Sequence, residues 1–159
     1  MFQIRKAAST DASTLGRLGA SLMALHHEFD PSRFIAPTPH TADRYGDFLE
    51  AQRSRDDAIV LVAEEEGRVL GYAYGSLEGN DFMALRGPAG VLHDLMVDTD
   101  ERGRGVGWAL VTAIRDVFVC RDAPRLVLSA AARNEAARRL FDRLGFRPTM
   151  IEMTMDFGS

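Results

Sequence analysis

The sequence predicts an α/β protein, in which a central mixed β-sheet has helices on both of its faces. Three observations favour this class: short apolar runs of strand length, longer segments with apolar residues at helical spacing, and a glycine-rich turn between a strand and a helix. The chain has 159 residues, of which 46% are hydrophobic and 26% are charged, as in ordinary globular proteins. Because no linker-like stretch interrupts it, we expect one domain over residues 1–159.

The first third of the chain predicts one short strand and two helices. Residues 2–5 alternate like a strand, and Thr10 or Asp11 can cap the helix that follows. The apolar face of this helix recurs at helical spacing: Leu15, Leu18, Leu22, Leu25 and Phe29. Three prolines between positions 31 and 39 then form a loop. A second helix is expected from about residue 41, with buried positions at Tyr45, Phe48 and Leu49.

The middle of the chain predicts a β-hairpin and a further strand. Residues 59–63 are apolar throughout, as in a buried strand, and Glu66-Gly67 fits a two-residue hairpin turn. Residues 69–76 return as the second strand of the hairpin. Residues 78–90 are rich in glycine, asparagine and aspartate, so we expect a mobile loop there. Residues 91–97 form the next strand, which leads directly into the glycine-rich turn.

The last third predicts two helices and two strands. The glycine-rich turn opens a helix that runs to about residue 119, and residues 126–129 form a strand. Asn134 opens the next helix and Gly145 closes it. Residues 150–157 alternate between apolar and polar side chains, which predicts a half-exposed final strand. The predicted order is β-α-α-β-β-β-α-β-α-β, with an antiparallel hairpin and with parallel strands on either side of the glycine-turn helix.

The turn Arg102-Gly103-Arg104-Gly105-Val106-Gly107-Trp108 predicts a phosphate site. Glycines expose backbone N–H groups, the helix N-terminus adds partial positive charge, and two arginines can fork onto phosphate oxygens. The Walker string Gly-x-x-x-x-Gly-Lys-Ser/Thr is absent, and the glycine spacing differs from the Rossmann fingerprint Gly-x-Gly-x-x-Gly. The turn instead satisfies the pattern Arg/Gln-x-x-Gly-x-Gly/Ala through Arg102, Gly105 and Gly107.

Two motifs together resemble the GNAT superfamily of N-acetyltransferases. Residues 95–107 are similar to that family's coenzyme A signature, and a second motif follows: Asn134-x-x-Ala137-x-x-Leu140-Phe141-x-x-Leu144-Gly145-Phe146. The resemblance covers about residues 58–157 and implies the GNAT acyltransferase fold, with acetyl-coenzyme A (acetyl-CoA) as the acyl donor. The first two helices match in order only, as expected where family members vary their acceptor site.

The resemblance also implies a cofactor site. Backbone N–H groups of the turn hold the diphosphate, and the strand before it offers main-chain hydrogen bonds to the pantetheine arm. Asn134 matches the asparagine that reaches this arm, although asparagine is equally a good helix N-cap. Phe141 stands where the family usually has the tyrosine that protonates the departing thiolate, which phenylalanine cannot do. The full set is Leu95, Met96, Val97, Arg102, Gly103, Arg104, Gly105, Val106, Gly107, Trp108, Asn134 and Phe141.

Amine acetylation needs a group that accepts a proton, because an aliphatic ammonium has a pKa of about 10.4. His93 and Asp94 are the candidate catalytic bases, since they lie on the strand beside the expected thioester. Strand alternation predicts that they point to opposite faces, so that only one meets the acceptor. Structural roles are the alternative for both: a polar sheet residue and a hydrogen bond to a loop. Tyr72, with Tyr74, is expected to line the acceptor cleft or to be a half-buried sheet aromatic.

The leading hypothesis is an N-acetyltransferase that moves acetyl from acetyl-CoA to a primary amine by direct attack in a ternary complex. The main-chain N–H of Met96 or Val97 would stabilise the oxyanion. The acceptor is a small-molecule amine or a protein N-terminus or lysine, and a homodimer is compatible with the resemblance. One alternative is a coenzyme A-binding sensor with little turnover, which Phe141 favours. A dinucleotide-binding oxidoreductase is the weaker alternative.

Composition narrows the partners and the location. A net charge of −4 argues against general nucleic-acid binding, and no apolar run approaches a membrane span of roughly 18 residues. No signal-peptide core is present, and Cys120, expected to be a small core residue, is the single cysteine, so a reduced cytoplasmic setting fits. His26 and His27, beside Glu28, point in different directions on a helix, so no metal site is expected.

Overall fold

The computed structural model describes residues 1–158, and it confirms the predicted α/β class. Five strands form one sheet in the order β1-β2-β3-β4-β5. The strands are β1 (Gln3–Lys6), β2 (Ala58–Glu65), β3 (Arg68–Glu78), β4 (Ala89–Val97) and β5 (Leu126–Leu128). The helices of more than one turn are α1 (Ala12–Phe29), α2 (Thr41–Arg53), α3 (Val106–Cys120) and α4 (Glu135–Arg143).

The sheet is mixed, as the sequence predicts. Strands β1 to β4 pair antiparallel, whereas β4 and β5, which flank α3, pair parallel. The turn between β2 and β3 is the predicted two-residue turn, with φ values of 51° at Glu66 and 79° at Gly67. Two positive φ values in succession are typical of a type I′ turn, whose twist matches that of the strands it joins.

Alternation along the central strands divides the core into two layers. Val62 and Tyr72 face α1 and α2, whereas Leu61 and Ala73 face α3. All four side chains are less than 5% exposed, which is why β2 and β3 read as continuous apolar runs rather than alternating ones. The helices therefore cover both faces of the sheet, and β4 lies between the two helical layers.

Small residues bring α1 and α2 into close contact. A Cβ on Gly16 would lie 2.1 Å from the Ala42 carbonyl oxygen, and a Cβ on Gly46 would lie 2.7 Å from that of Ala12. A Cβ on Gly19 would lie 2.3 Å from the ring of Tyr45, so this ring packs directly on the α1 backbone. The three glycines thus determine how α2 lies over the sheet and where Tyr45 is held.

The predicted final strand is wrong. Residues 150–157 pair with no other segment of the described chain, because none of its strands lies alongside them. Their polar side contacts the loop after α1 through Arg33 with Glu152 and Ser32 with Asp156. Their apolar side chains are exposed, from 74% at Met150 to 92% at Phe157. Alternation in a sequence therefore indicated an extended backbone here but not a partner strand.

Two expectations about burial are also wrong. Cys120 is exposed at the last position of α3, where it follows the apolar face of the helix rather than lying on it. Phe48 is 47% exposed, and its ring makes T-shaped contacts with the rings of Tyr74 and Tyr45. Leu49 and Tyr45 supply the buried contacts of α2 instead.

An ion-pair cluster joins β1 to the start of α1. The carboxylate of Asp11 accepts bonds from two guanidinium nitrogens of Arg5, at 2.7 and 3.0 Å, and from the Ala8 N–H at 2.7 Å. The hydrogen bonds from Arg5 hold the pKa of Asp11 below its ordinary value. Arg5 also donates to Glu64 of β2. Asp11 is 7% exposed, so the loss of its charge would leave donors poorly satisfied.

We expect Asp11→Asn to lower the free energy of unfolding at pH 7 by about 1–3 kcal/mol. Because the pKa of Asp11 is lower in the folded protein, its contribution is present above the unfolded pKa. The difference between the two proteins should therefore shrink as pH falls through the folded pKa. Urea unfolding across this range measures it. Asp57→Asn, which breaks an exposed pair with Arg55, is the matched control and should cost much less; equal losses would contradict this role for Asp11.

Candidate functional site

A cleft opens where β4 and β5 separate. Residues Gly90–Leu92 of β4 pair with Leu126–Leu128 of β5. Beyond Leu92, the edge of β4 that faces β5 has no partner strand among the described residues. The opening has a volume of about 1100 Å³. Leu95, Met96 and Val97 line it, and every second main-chain N–H and C=O along this edge points away from β3. The strand therefore offers hydrogen-bonding groups to an extended ligand.

The glycine-rich turn forms one end of the cleft. Gly103 and Gly105 have φ values of 79° and 83°, which glycine adopts without strain, and α3 begins immediately afterwards at Val106. The first backbone hydrogen bond of α3 runs from the Ala109 N–H to the Gly105 carbonyl oxygen. The preceding N–H groups of the first turn make no backbone bond within residues 1–158, and they lie at the positive end of the helix dipole. This end of the cleft suits an anion.

Gly107 has a different role from the other two glycines. It lies within the first turn of α3, and a Cβ there would be 3.3 Å from the Leu140 side chain and 3.7 Å from that of Val97. Glycine at this position lets the Leu140 side chain of α4 approach α3 closely. The next residue, Trp108, also lines the cleft and is 45% exposed.

The two arginines of the turn have different surroundings. Arg102 is exposed and lines the cleft, as expected for a phosphate contact. Arg104 does not line it, because its guanidinium binds Glu101 and, at 2.9 Å, both carboxylate oxygens of Glu65. Glu101 is 8% exposed and also pairs with Arg68. The Arg104 guanidinium is thus paired with two carboxylates, one of them buried, whereas a phosphate contact was expected from sequence.

A β-bulge changes the direction of the candidate bases. In the pairing of β3 with β4, Tyr74 faces Asp94 and Gly75 faces Leu92, so His93 is an extra residue in β4. His93 and Asp94 consequently both point to the α1–α2 face, as their contacts with β3 side chains on that face show. The expectation of opposite faces was wrong because it assumed regular alternation.

Asp94 is held by two tyrosines and lines the cleft. Its Oδ2 accepts hydrogen bonds from the hydroxyls of Tyr45, at 2.6 Å, and Tyr72, at 2.8 Å. Burial, followed by the nearby Asp94 charge, raises the pKa of both tyrosines, so both remain protonated donors at neutral pH. Its Oδ1 has no hydrogen-bond partner in the described chain and is not among the buried atoms there that lack one, so solvent reaches it.

Tyr72 lies behind Asp94 rather than at the cleft wall. Its side chain is 0% exposed and does not line the cleft, and Tyr74 does not line it either. Tyr72 therefore contacts Asp94 and does not reach the cleft, in contrast to the expected place on its wall. His93 does line the cleft, stacked on Tyr74 with ring centroids 5.0 Å apart. Its Nε2 lies 2.8 Å from Ser76 Oγ and 3.3 Å from Glu78 Oε1.

The residues of the second motif line the opposite wall. Asn134 is the N-cap of α4, and its side-chain oxygen accepts a bond from the Ala137 N–H at 3.1 Å. Asn134 also lines the cleft. Phe141 is 9% exposed and packs edge-on against Phe146. No hydroxyl is available at position 141 to donate a proton.

From sequence, the first two helices were expected to vary with the acceptor site, but none of their residues was named for it. Tyr45 was expected only as a buried helix position, and it lies 49 residues before the carboxylate it contacts. No local pattern reports such a contact. Residues 78–90, which were expected to form a mobile loop, contribute no residue to the cleft lining, whereas α1, the loop after it and Tyr45 of α2 do. Within this segment, Asp81 and Arg86 pair through an isolated antiparallel β-bridge.

The histidines of α1 serve the packing of the following loop. The ring of His26 bonds the Leu22 carbonyl and that of His27 bonds the Phe34 carbonyl, both at 2.8 Å. Residues 1–158 contain no group of three histidine, cysteine or acidic side chains that could hold a metal ion. In the same part of the chain, no helix combines the length and the hydropathy needed to cross a bilayer.

A five-stranded mixed sheet, a cleft at the separation of β4 from β5 and a glycine turn opening onto it define the acyl-CoA transferase class of fold. Residues 22–146 match the family model described as the acetyltransferase (GNAT) family. The chain therefore belongs to the GNAT acetyltransferase family.

Individual relatives are more distant. The acetyltransferase SG1711 of Sodalis glossinidius is 28% identical over 98 residues, which is 62% of this chain and 63% of that protein. The BH1408 protein of Bacillus halodurans, solved as a tetramutant, has a TM-score of 0.85 at 22% identity and covers 98% of this chain and 99% of its own. The aminoglycoside N-acetyltransferase AAC(6')-Iy, solved with CoA, has a TM-score of 0.76 at 18% identity. The match covers 99% of this chain and 95% of that protein.

Proposed function

We propose that the protein transfers the acetyl group of acetyl-CoA to a primary amine by direct attack in a ternary complex. One observation carries this proposal: the unpaired edge of β4, the N-terminus of α3 and the accessible oxygen of Asp94 all open into one cleft. Its volume of about 1100 Å³ lies slightly above the roughly 300–1,000 Å³ typical of a small-molecule pocket, so there is room for two substrates.

The cofactor side follows from the free backbone groups. The diphosphate of acetyl-CoA binds the N–H groups of the turn from residue 102 to residue 107, with Arg102 as an additional cation. The pantetheine arm lies along the edge of Leu95–Val97 and within reach of the Asn134 amide. The CoA complex of AAC(6')-Iy, and an acetyltransferase of Clostridium acetobutylicum solved with acetyl-CoA, support this choice of donor.

The acceptor side follows from Asp94. An ammonium binds its Oδ1 and then loses a proton to it, directly or through water, because only the neutral amine attacks. The nitrogen bonds to the thioester carbonyl carbon, and the main-chain N–H of Met96 or Val97 stabilises the oxyanion. Collapse of this intermediate breaks the C–S bond and releases coenzyme A thiolate. The nitrogen gives its second proton to water, the thiolate takes a proton from water, and Asp94 returns the first proton to solvent. With a thiol pKa of about 8.5, this departure does not depend on an acid at position 141.

Phe141 favours a second candidate function, a coenzyme A-binding sensor with little turnover. The two functions share the cofactor site and differ in whether the thioester reacts. Thiol release from acetyl-CoA separates them when it is followed with a panel of primary amines and matched to acetylated product by mass spectrometry.

For a transferase, we expect release to rise at least about 10-fold above the amine-free rate with at least one amine, with one thiol per acetylated product. Saturable coenzyme A binding without release on any amine would support the sensor. Absence of coenzyme A binding would contradict both functions.

A further inference from the structure

The acceptor side of the cleft has a wall of unusual composition. Apart from the cofactor side, the lining comes from α1, from the loop that follows it, from Tyr45, and from His93 and Asp94 of β4. The α1 and loop residues are Leu22, Met23, Leu25, His26, Phe29, Phe34 and Ile35. Only one of these seven, His26, has a polar side chain, and its Nδ1 is engaged by the Leu22 carbonyl. The wall is therefore apolar and in part aromatic.

The aromatic part of this wall is held in place before any ligand binds. The His26 ring meets Phe34 and Phe29 edge to face, with centroids 5.0 and 5.9 Å apart. The His27 ring donates to the Phe34 carbonyl, and the guanidinium of Arg33 lies 4.7 Å from the centroid of the Phe34 ring. A ligand that packs on these rings therefore orders little additional structure.

Carboxylates are scarce around the cleft. Among its lining residues in the described chain the acidic side chains are Asp94, Glu101 and Glu135. Glu101 is neutralised by Arg68 and Arg104, and Glu135 lies on α4, on the cofactor side. Asp94 is thus the single carboxylate on the acceptor side. At the edge of the wall, Arg133 donates to the Phe29 carbonyl at 2.7 Å and adds a positive charge.

From this arrangement, and resting on the proposed function, we infer that the acceptor is a monoamine with an apolar, aromatic-sized body. Its one ammonium pairs with Asp94 while its body packs on Phe29, Phe34 and their neighbours. A polyamine or an aminocyclitol would place further ammonium groups against apolar side chains of this wall, which carries no lining carboxylate to compensate for their lost hydration. The wall therefore selects against the polycationic amines that the aminoglycoside acetyltransferase of similar fold acts on.

Binding to the protein saturated with coenzyme A tests this inference without requiring turnover. Calorimetric titration should compare 2-phenylethylamine, ethylamine and spermidine. Burial of a phenyl group predicts that phenylethylamine binds about 10- to 100-fold more tightly than ethylamine. Spermidine should bind no more tightly than ethylamine. Equal affinity for the first two amines, or a preference for spermidine, would overturn the inference, as would the absence of binding by all three.

Variants test whether the apolar wall determines the preference between the two amines. Phe34→Ala should lower the ratio of phenylethylamine to ethylamine affinity at least about 5-fold. Ile35→Ser should lower it as well and leaves folding secure, because Ile35 is 74% exposed. Phe82→Ala, at a phenylalanine that is 77% exposed and outside the cleft, is the control and should keep the ratio. A ratio that neither Phe34→Ala nor Ile35→Ser changes would overturn the inference.

The two proposals fail in different ways. Selective binding of phenylethylamine without acetyl transfer would contradict the transferase and support this acceptor class. Transfer with a preference for spermidine over phenylethylamine would support the transferase and overturn the acceptor class.

Discussion

Replacing Asp94 with asparagine should lower kcat/KM for the amine by about 10²-fold or more while leaving the affinity for coenzyme A within about 2-fold. The change is nearly isosteric, and the asparagine oxygen can still accept both tyrosine hydrogen bonds at the Oδ2 position. The atom left to face the acceptor is then an NH₂ donor instead of a carboxylate oxygen. The variant therefore loses the charge and the proton acceptor without losing the fold. Steady-state kinetics at saturating acetyl-CoA measure the effect.

The pH dependence of the activity loss in Asp94→Asn shows whether Asp94 removes a proton or only positions the amine. If Asp94 removes the proton, the defect should narrow between about pH 7 and pH 10, because free amine then forms without a base. A defect that stays constant over this range would indicate a role in orientation alone. His93→Gln is the comparison variant, since His93 lines the same cleft but its Nε2 is engaged by Ser76. A larger loss in His93→Gln than in Asp94→Asn would contradict the assignment of Asp94.

Replacing Gly105 with leucine should weaken coenzyme A binding at least about 10-fold, equivalent to about 1.4 kcal/mol. A Cβ at Gly105 meets no protein atom within 4 Å, so the added side chain stands in the open cleft at the start of α3. There it holds a diphosphate away from the N–H groups of the first turn. Titration of coenzyme A measures the loss.

Backbone strain in this variant needs a separate control, because Gly105 has a φ of 83° and leucine is strained there by about 1–2 kcal/mol. Gly67→Leu provides it. Gly67 has a φ of 79°, a Cβ there also meets nothing within 4 Å, and it lies in the β2–β3 turn outside the cleft. Both variants should lose similar stability, and only Gly105→Leu should lose affinity. Similar coenzyme A affinities in the two variants would count against a diphosphate at the glycine turn.

The element order from β1 to α4, the β2–β3 hairpin and the parallel pairing of β4 with β5 could be predicted because each depends on short-range signals. The apolar run of β2, the Glu66-Gly67 turn and the strand–turn–helix at Gly105 each reflect backbone geometry that a few neighbouring residues determine. The prediction of a final strand was wrong because pairing is not a short-range property. Alternation over residues 150–157 describes one chain, whereas a strand requires a second one at its side.

The candidate site could be predicted only in part. The residues of the glycine turn and of β4 were named from sequence, and the structure brings most of them to one cleft. The contact of Tyr45 with Asp94 could not be named, because it depends on the packing of α2 against α1 through Gly16 and Gly46. The separate role of Arg104 also depends on tertiary contacts, since Glu65 comes from another strand.

The bulge in β4 could have been suspected from spacing. Leu92 and Leu95 both pack in the α3 layer, yet they are three residues apart, and regular alternation cannot bury both on one face. A regular strand would have turned Asp94 into that apolar layer without a partner. The hydrophobic pattern of the strand thus requires an extra residue between the two leucines.

That extra residue makes β4 tolerant to a change in length at one point. Loss of a single residue from a central strand ordinarily inverts every side chain beyond the deletion. Here, removing either His93 or Asp94 would convert the bulge into a continuous ladder and leave Leu95, Met96 and Val97 facing as they do now. A polar group can therefore be gained or lost at this point of β4 without shifting the main chain that follows it. In this strand, a change beside Asp94 is thus separable from the edge that leads to the glycine turn.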